Sequence, residues 1–130
     1  MVNFILGDFV ARINNAKRQH FNSICVPNSK IVKKVIELML SLGILRNMHY
    51  ENSKNFEIFL KYNKRRCVFK HLKLISVPSR RVYIDLVDLA RLKNKTFTCI
   101  YILSTNYGLK TDFECLLEKI SGELLLKIEF

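Results

Sequence analysis

Residues 101–114, YILSTNYGLKTDFE, decide how the second half of this chain is read. The stretch opens as an apolar run that reaches back to Cys99, which predicts a buried strand over Cys99–Leu103. It then changes to Ser104, Thr105, Asn106, Tyr107 and Gly108, a polar loop carried on that strand. Thr111 and Glu114 have the spacing of a capping box, so a helix starts there. A strand, a polar loop and a capped helix within fourteen residues set out a rigid base with an exposed reading head. Hydroxyl and amide groups donate and accept, so they can read ribose 2′-hydroxyls and base edges that Lys and Arg alone do not discriminate. Gly108 permits a positive φ or a close backbone approach. An ordinary polar turn has the same composition.

Outward from this stretch the pattern is α+β. Ile5, Phe9, Ile13 and Ala16 follow helical spacing, with Asp8, Arg12, Asn15 and Gln19 on another face. Residues 23–27, SICVP, read as a short strand stopped by Pro27. Asn28 or Ser29 caps a second helix, whose apolar stripe is read as Ile31, Val35, Leu38, Met39 and Leu42, closed by Gly43. Lys30, Lys33 and Lys34 crowd its first turns, where the dipole disfavours positive charge and a phosphate would relieve the conflict. Strands are expected over 44–50 and through Phe56, Ile58, Leu60 and Tyr62, with a turn near Asn52-Ser53. Further strands are expected at 67–75, 82–85 and 123–130, and a short helical turn at 86–92. The basic run at 63–66 marks the expected boundary between an N-terminal α-β-α-β-β lobe, 1–62, and a C-terminal mainly β lobe, 63–130.

The 130 residues carry 22 Lys and Arg against 11 Asp and Glu, a net charge of +11 that draws polyanions before any specific contact forms. From Ile58 to Ile84 there is no acidic residue, while Lys61, Lys64, Arg65, Arg66, Lys70, Lys73, Arg80 and Arg81 all fall there, interleaved with Tyr62, Phe69 and Tyr83. Basic groups meet phosphates and rings stack on bases, which favours RNA as the partner. A membrane surface would call for one strongly basic amphipathic helix, but the charge is spread over both halves. No apolar run reaches the roughly 20 residues that span a bilayer. The start is not that of a signal peptide, since its apolar patch is short and contains Asp8. Cys25, Cys67, Cys99 and Cys115 form no CxxC pair, so no metal site is expected, and Cys25 and Cys99 are expected to be buried. His20, His49 and His71 are scattered and the basic stretch lacks carboxylates, which argues against an RNA-processing enzyme; no cofactor or small-molecule substrate is expected. A free-standing RNA regulator remains the competing binder.

Five segments in order, GDFVARINNA (7–16), VPNSKIVKKVIELMLSLGIL (26–45), ISVPSRRVY (75–83), ILSTNYGLKTD (102–112) and SGELLLKIEF (121–130), resemble ribosomal protein S-eight of the small subunit, in its bacterial and organellar form. The ST-x-x-G-x-x-TD loop followed by a GE strand is the most specific of them. The resemblance implies a two-lobed primary binder of central-domain small-subunit rRNA, with neighbouring small-subunit ribosomal proteins as further partners. It places second-lobe contacts at Ser104, Thr105, Asn106, Tyr107 and Gly108, with Tyr83, Ser76, Arg80 and Arg81 nearby, and first-lobe contacts at Arg12, Asn15, Ser29 and Lys30. Lys64, Arg65 and Arg66 are added as phosphate contacts from their charge, and Glu123 is assigned to supporting the loop. The chain departs from the family pattern at Ser76-Val77-Pro78-Ser79, at Phe97-Thr98-Cys99, at Ser121 and at Tyr107. It favours Phe, Ile, Asn, Lys and Tyr, residues of AT-rich codons, and the family motif begins close to Met1. Both point to an organelle-encoded protein of the mitochondrial ribosome, with a plastid or an AT-rich bacterium as alternatives.

Overall fold

A computed structural model describes residues 5–50, 54–95 and 98–130. The turn expected near Asn52-Ser53 and the departure at Phe97 lie outside these residues. The chain divides into two compact units, Met1–Phe69 and Lys70–Phe130, so the basic run at 63–66 falls inside the first.

In the first unit, α1 (Ile5–Arg18) packs on β1 (Ser23–Pro27), and α2 (Lys30–Ser41) packs on β2 (Leu45–Tyr50). With β3 (Asn55–Leu60) the strands form an antiparallel sheet of order β1-β3-β2. Phe56, Ile58 and Leu60 alternate inward as expected for a strand with one buried face. In α1 the buried face is Leu6, Phe9, Val10, Ile13 and Ala16. In α2 the buried stripe is Val32, Val35, Ile36 and Met39: Val35 and Met39 are as expected, Val32 and Ile36 are added, and Leu38 is half-buried. Ile31 and Leu42 are exposed, because the true stripe follows i, i+3, i+4, i+7 from Val32 and both fall at its margins. Cys25 is exposed as well: it alternates with buried Val26 on β1, a strand at the edge of the sheet.

α2 ends in a Schellman motif. Gly43 takes φ +77°, Ile44 N–H reaches Met39 C=O at 3.0 Å, and Gly43 N–H reaches Leu40 C=O at 3.1 Å. The same pair of bonds closes α1 (Phe21 N–H to Ala16 C=O, 2.9 Å; His20 N–H to Lys17 C=O, 3.2 Å). There the left-handed position is held by His20, with φ +57°. The first unit closes with a hairpin, β4 (Tyr62–Asn63) and β5 (Arg66–Cys67). Its two-residue turn has Lys64 at φ +52° and Arg65 at φ +67°, positions that normally take Asn-Gly.

The second unit is built on β10 (Gly122–Glu129), which pairs antiparallel with β6 (His71–Leu74), β7 (Tyr83–Ile84) and β8 (Cys99–Thr105). β8 pairs in turn with β9 (Gly108–Thr111). Helices α3 (Leu86–Lys95) and α4 (Asp112–Glu118) follow β7 and β9. Leu89, Cys99, Tyr101, Leu103, Cys115 and Leu124 form their core, with Val82, Ile84, Leu92 and Leu116 packed on it. α3 is three residues longer than the expected turn: the Asp85 carboxylate accepts from Asp88 N–H at 2.8 Å, and Leu89 and Leu92 anchor its inner face. At α4 the expected cap is present, with the Thr111 hydroxyl accepting from Glu114 N–H at 3.3 Å. β10 contains a bulge between Leu124 and Leu126, so Leu125 is buried beside them and simple alternation fails there.

Candidate nucleic-acid interface

The stretch read as a free loop is a hairpin. β8 continues through Ser104 and Thr105, the chain reverses over Asn106-Tyr107, and β9 begins at Gly108, which faces Thr105. Gly108 carries φ +104°, the left-handed residue that completes such a turn. The Thr105 hydroxyl fixes it, donating to Gly108 C=O at 2.8 Å and accepting from Tyr107 N–H at 3.1 Å. Tyr107 is thrust into solvent at 76% exposure.

The strand register then assembles a row. Tyr83 on β7 stands opposite Glu123 on β10, and Glu123 stands opposite Ser104 on β8. Residues directly opposite in antiparallel pairs share a face. Their strand neighbours Val82, Ile84, Leu103 and Leu124 belong to the core beneath α3 and α4, so Tyr83, Glu123 and Ser104 line the other face. Tyr83 is 71% exposed and can stack.

Gly122 makes this close approach of strands possible. A Cβ built there would meet Ser104 O at 2.3 Å, Ser104 C at 3.0 Å and Thr105 Cγ2 at 3.1 Å. Sequence reading passed over Gly122 as part of a motif, because nothing local shows which backbone it will meet.

The Glu123 carboxylate, largely shielded, lies 3.3 Å from Arg81 Nη1. Its backbone is in register with Ser104, while its side chain holds the arginine of the 76–82 segment. That segment is a tight turn in which Val77 and Arg80 exchange both backbone bonds at 3.0 Å, leaving Arg80 and Arg81 exposed.

Ser76 corrects the sequence reading. It is 3% exposed, donates to Leu124 C=O at 2.6 Å and accepts from Val82 N–H at 2.9 Å. Its hydroxyl is committed to these two backbone groups inside the unit. Phe69 is likewise core, whereas Tyr62 is half-buried and Tyr83 is exposed.

The first-unit residues stand as follows. Arg12 is paired with Asp8, Nε to Oδ2 2.8 Å, and its Nη1 donates to Cys25 C=O at 3.1 Å; half of its side chain stays accessible. Asn15 is exposed on the same helix. Ser29 stands at the N-cap of α2 with extended backbone but makes no capping bond with its side chain. No acidic residue occupies the first turn of α2, and Lys30 is exposed there. Lys33 instead lies over the Tyr50 ring, 5.6 Å from its centroid, and this partner raises its pKa above the ordinary lysine value. Lys64, Arg65 and Arg66 are exposed at the β4–β5 hairpin.

The Ribosomal protein S8 family model matches residues 5–128. The chain belongs to the ribosomal protein S8 family. It is 34% identical to the small ribosomal subunit protein uS8 of Rhodospirillum centenum, covering 95% of each chain. It is 32% identical to uS8m of Acanthamoeba castellanii, over 95% of this chain and 98% of that one. It is 30% identical to uS8c of Nymphaea alba, over 95% and 96%. Within this S8 chain the ST-x-x-G hairpin, the TD cap and the GE strand are three parts of one structure, because β8, β9 and β10 are joined in register around Ser104 and Gly122 and α4 starts directly from the end of β9.

Proposed function

We propose that the chain is a structural constituent of the small ribosomal subunit that binds central-domain small-subunit rRNA and supports subunit assembly, with neighbouring small-subunit proteins as further partners. The observation that carries this reading is the row Tyr83–Glu123–Ser104 ending in the Asn106-Tyr107 hairpin turn. It combines a stacking ring, a hydroxyl and a fixed backbone on a rigid sheet, with Arg80 and Arg81 beside it. Phosphate contacts position the RNA and the hydroxyl and amide groups read ribose and base edges. Arg12, Asn15, Ser29, Lys30, Lys64, Arg65 and Arg66 supply first-unit contacts in this reading. Glu123 positions Arg81. The work is that of a scaffold protein, not of a catalyst.

The compartment is proposed to be the mitochondrion, from the bias toward Phe, Ile, Asn, Lys and Tyr. The relatives named above include mitochondrial, plastid and bacterial-type proteins.

The test is binding to a central-domain stem against a scrambled stem of equal length across a salt series. A preference for the stem that persists at high salt supports the reading. Equal affinities, falling with a slope of about −0.7 to −0.9 per phosphate contact, leave only a basic protein.

A further inference from the structure

A second feature of the first unit is absent from the row just described. His20, Asn22, Tyr62 and Arg65 line an open cleft of about 440 Å³, within the range of small-ligand sites. We propose that this cleft receives a single unstacked RNA nucleotide, its base held against the Tyr62 and His20 rings and its phosphate by Arg65. The inference rests on the chain being an RNA binder.

Three observations carry it. First, the walls suit a base. The Tyr62 and His20 ring centroids are 6.2 Å apart with planes at 41°, and Asn22 adds an amide that donates and accepts. The Tyr62 hydroxyl donates to Phe21 C=O at 2.6 Å, which fixes the ring. Burial, with a smaller push from Cys67, moves the Tyr62 pKa above its usual value, so the ring stays a neutral phenol.

Second, the charge suits a phosphate. Arg65 stands in the lining, Lys64 and Arg66 flank it in sequence, and no acidic side chain lines the cleft among the described residues.

Third, the backbone opposes these side chains. His20 holds the left-handed position of a Schellman motif, and Lys64-Arg65 hold both central positions of a hairpin turn. Glycine and asparagine suit all three positions better. Of the four non-glycine residues with positive φ among the described residues, two line this cleft and a third adjoins it. Side chains kept against backbone preference cluster where function requires them.

The experiment uses the full chain and a short unstructured RNA carrying one 2-aminopurine, whose fluorescence is quenched on stacking. Wild type quenches the probe on binding. Tyr62→Leu weakens binding about 5- to 150-fold, the range of one lost base–aromatic stack. Arg65→Gly also weakens binding, while its thermal midpoint stays level or rises, because glycine accepts φ +67° without strain. That gain in stability with loss of binding separates a site from a merely structural hairpin. Quenching and affinity unchanged in both variants overturn the cleft. So does a wild-type chain that prefers the structured stem over its scrambled form yet leaves the probe unquenched; that result leaves the ribosomal reading standing. A chain with neither property overturns both.

Discussion

Replacing Gly122 with Ala puts a methyl carbon 2.3 Å from the Ser104 carbonyl oxygen and 3.0 Å from its carbon. Both are backbone atoms of β8, so no side chain can swing away and the strands themselves must part. Overpacking of this kind costs about 1–3 kcal/mol, and a backbone clash belongs at the upper end, about 3 kcal/mol. At about 4 °C per kcal/mol for a chain of this size, the thermal midpoint falls by about 12 °C. Gly43→Ala is the control. Gly43 has φ +77° with nothing within 4 Å of a built Cβ, so only the left-handed backbone is penalised, by about 1 kcal/mol. Thermal unfolding followed by circular dichroism compares the two, and affinity for the rRNA stem is measured on each below its transition. Gly122→Ala is expected to lose stem selectivity as well as stability, since Ser104 is the residue displaced. A Gly122→Ala chain that melts no lower than Gly43→Ala, or that keeps full stem selectivity, refutes the claim that Gly122 sets the reading row.

Other perturbations separate architecture from recognition. Asp112 is buried, with Oδ2 3.1 Å from the Lys93 ammonium and Oδ1 accepting from Phe113 N–H at 2.7 Å, so Lys93→Met leaves a buried carboxylate without its ion-pair partner. Because Lys93 is partly accessible, the loss in urea unfolding is expected at the lower end of the usual range, about 3 kcal/mol. Ser76→Ala strands the Leu124 carbonyl and the Val82 N–H and costs about 2 kcal/mol, with stem selectivity retained by the folded protein. Glu129 is held by Lys73, His71 and Lys127 at 3.0–3.3 Å. The hydrogen bond from Lys73 leads in drawing its pKa below the ordinary 4.5. The folded state therefore binds this proton less readily than the unfolded chain. The contribution is fully present above about pH 4.5 and is lost as pH falls through the lowered value; in Glu129→Gln this part of the acid dependence disappears from a pH series of denaturant midpoints.

Much of both units was legible where the signals are local. The Cys99–Leu103 run, the Thr111–Glu114 cap and the Phe56–Leu60 alternation each depend on neighbours in sequence, and each forms as read. What escaped depends on distant partners. The hairpin that replaces the loop is fixed by the Thr105 hydroxyl meeting Gly108 and Tyr107 across the turn. Ser76 looks like a polar loop residue until the Leu124 carbonyl, 48 positions away, accepts its hydrogen bond. The stripe of α2 was misjudged at its ends because Ile31 and Leu42 are apolar but sit at the margins of the buried face. Cys25 and Leu125 depend on edge position and on a bulge, neither of which composition reveals. The left-handed His20, Lys64 and Arg65 carried no warning, since the residues that announce such backbone are Gly and Asn.

The central claim is that the second unit recognises RNA through Ser104 and its row. The most direct measurement is the affinity of Ser104→Ala, relative to wild type, for the central-domain stem and for a scrambled stem in the same salt. Loss of one hydroxyl contact is expected to weaken stem binding by about 5- to 10-fold, at about 1–1.5 kcal/mol per hydrogen bond, and to leave the scrambled stem unchanged. An equal effect on both stems, or none on either, would contradict the account.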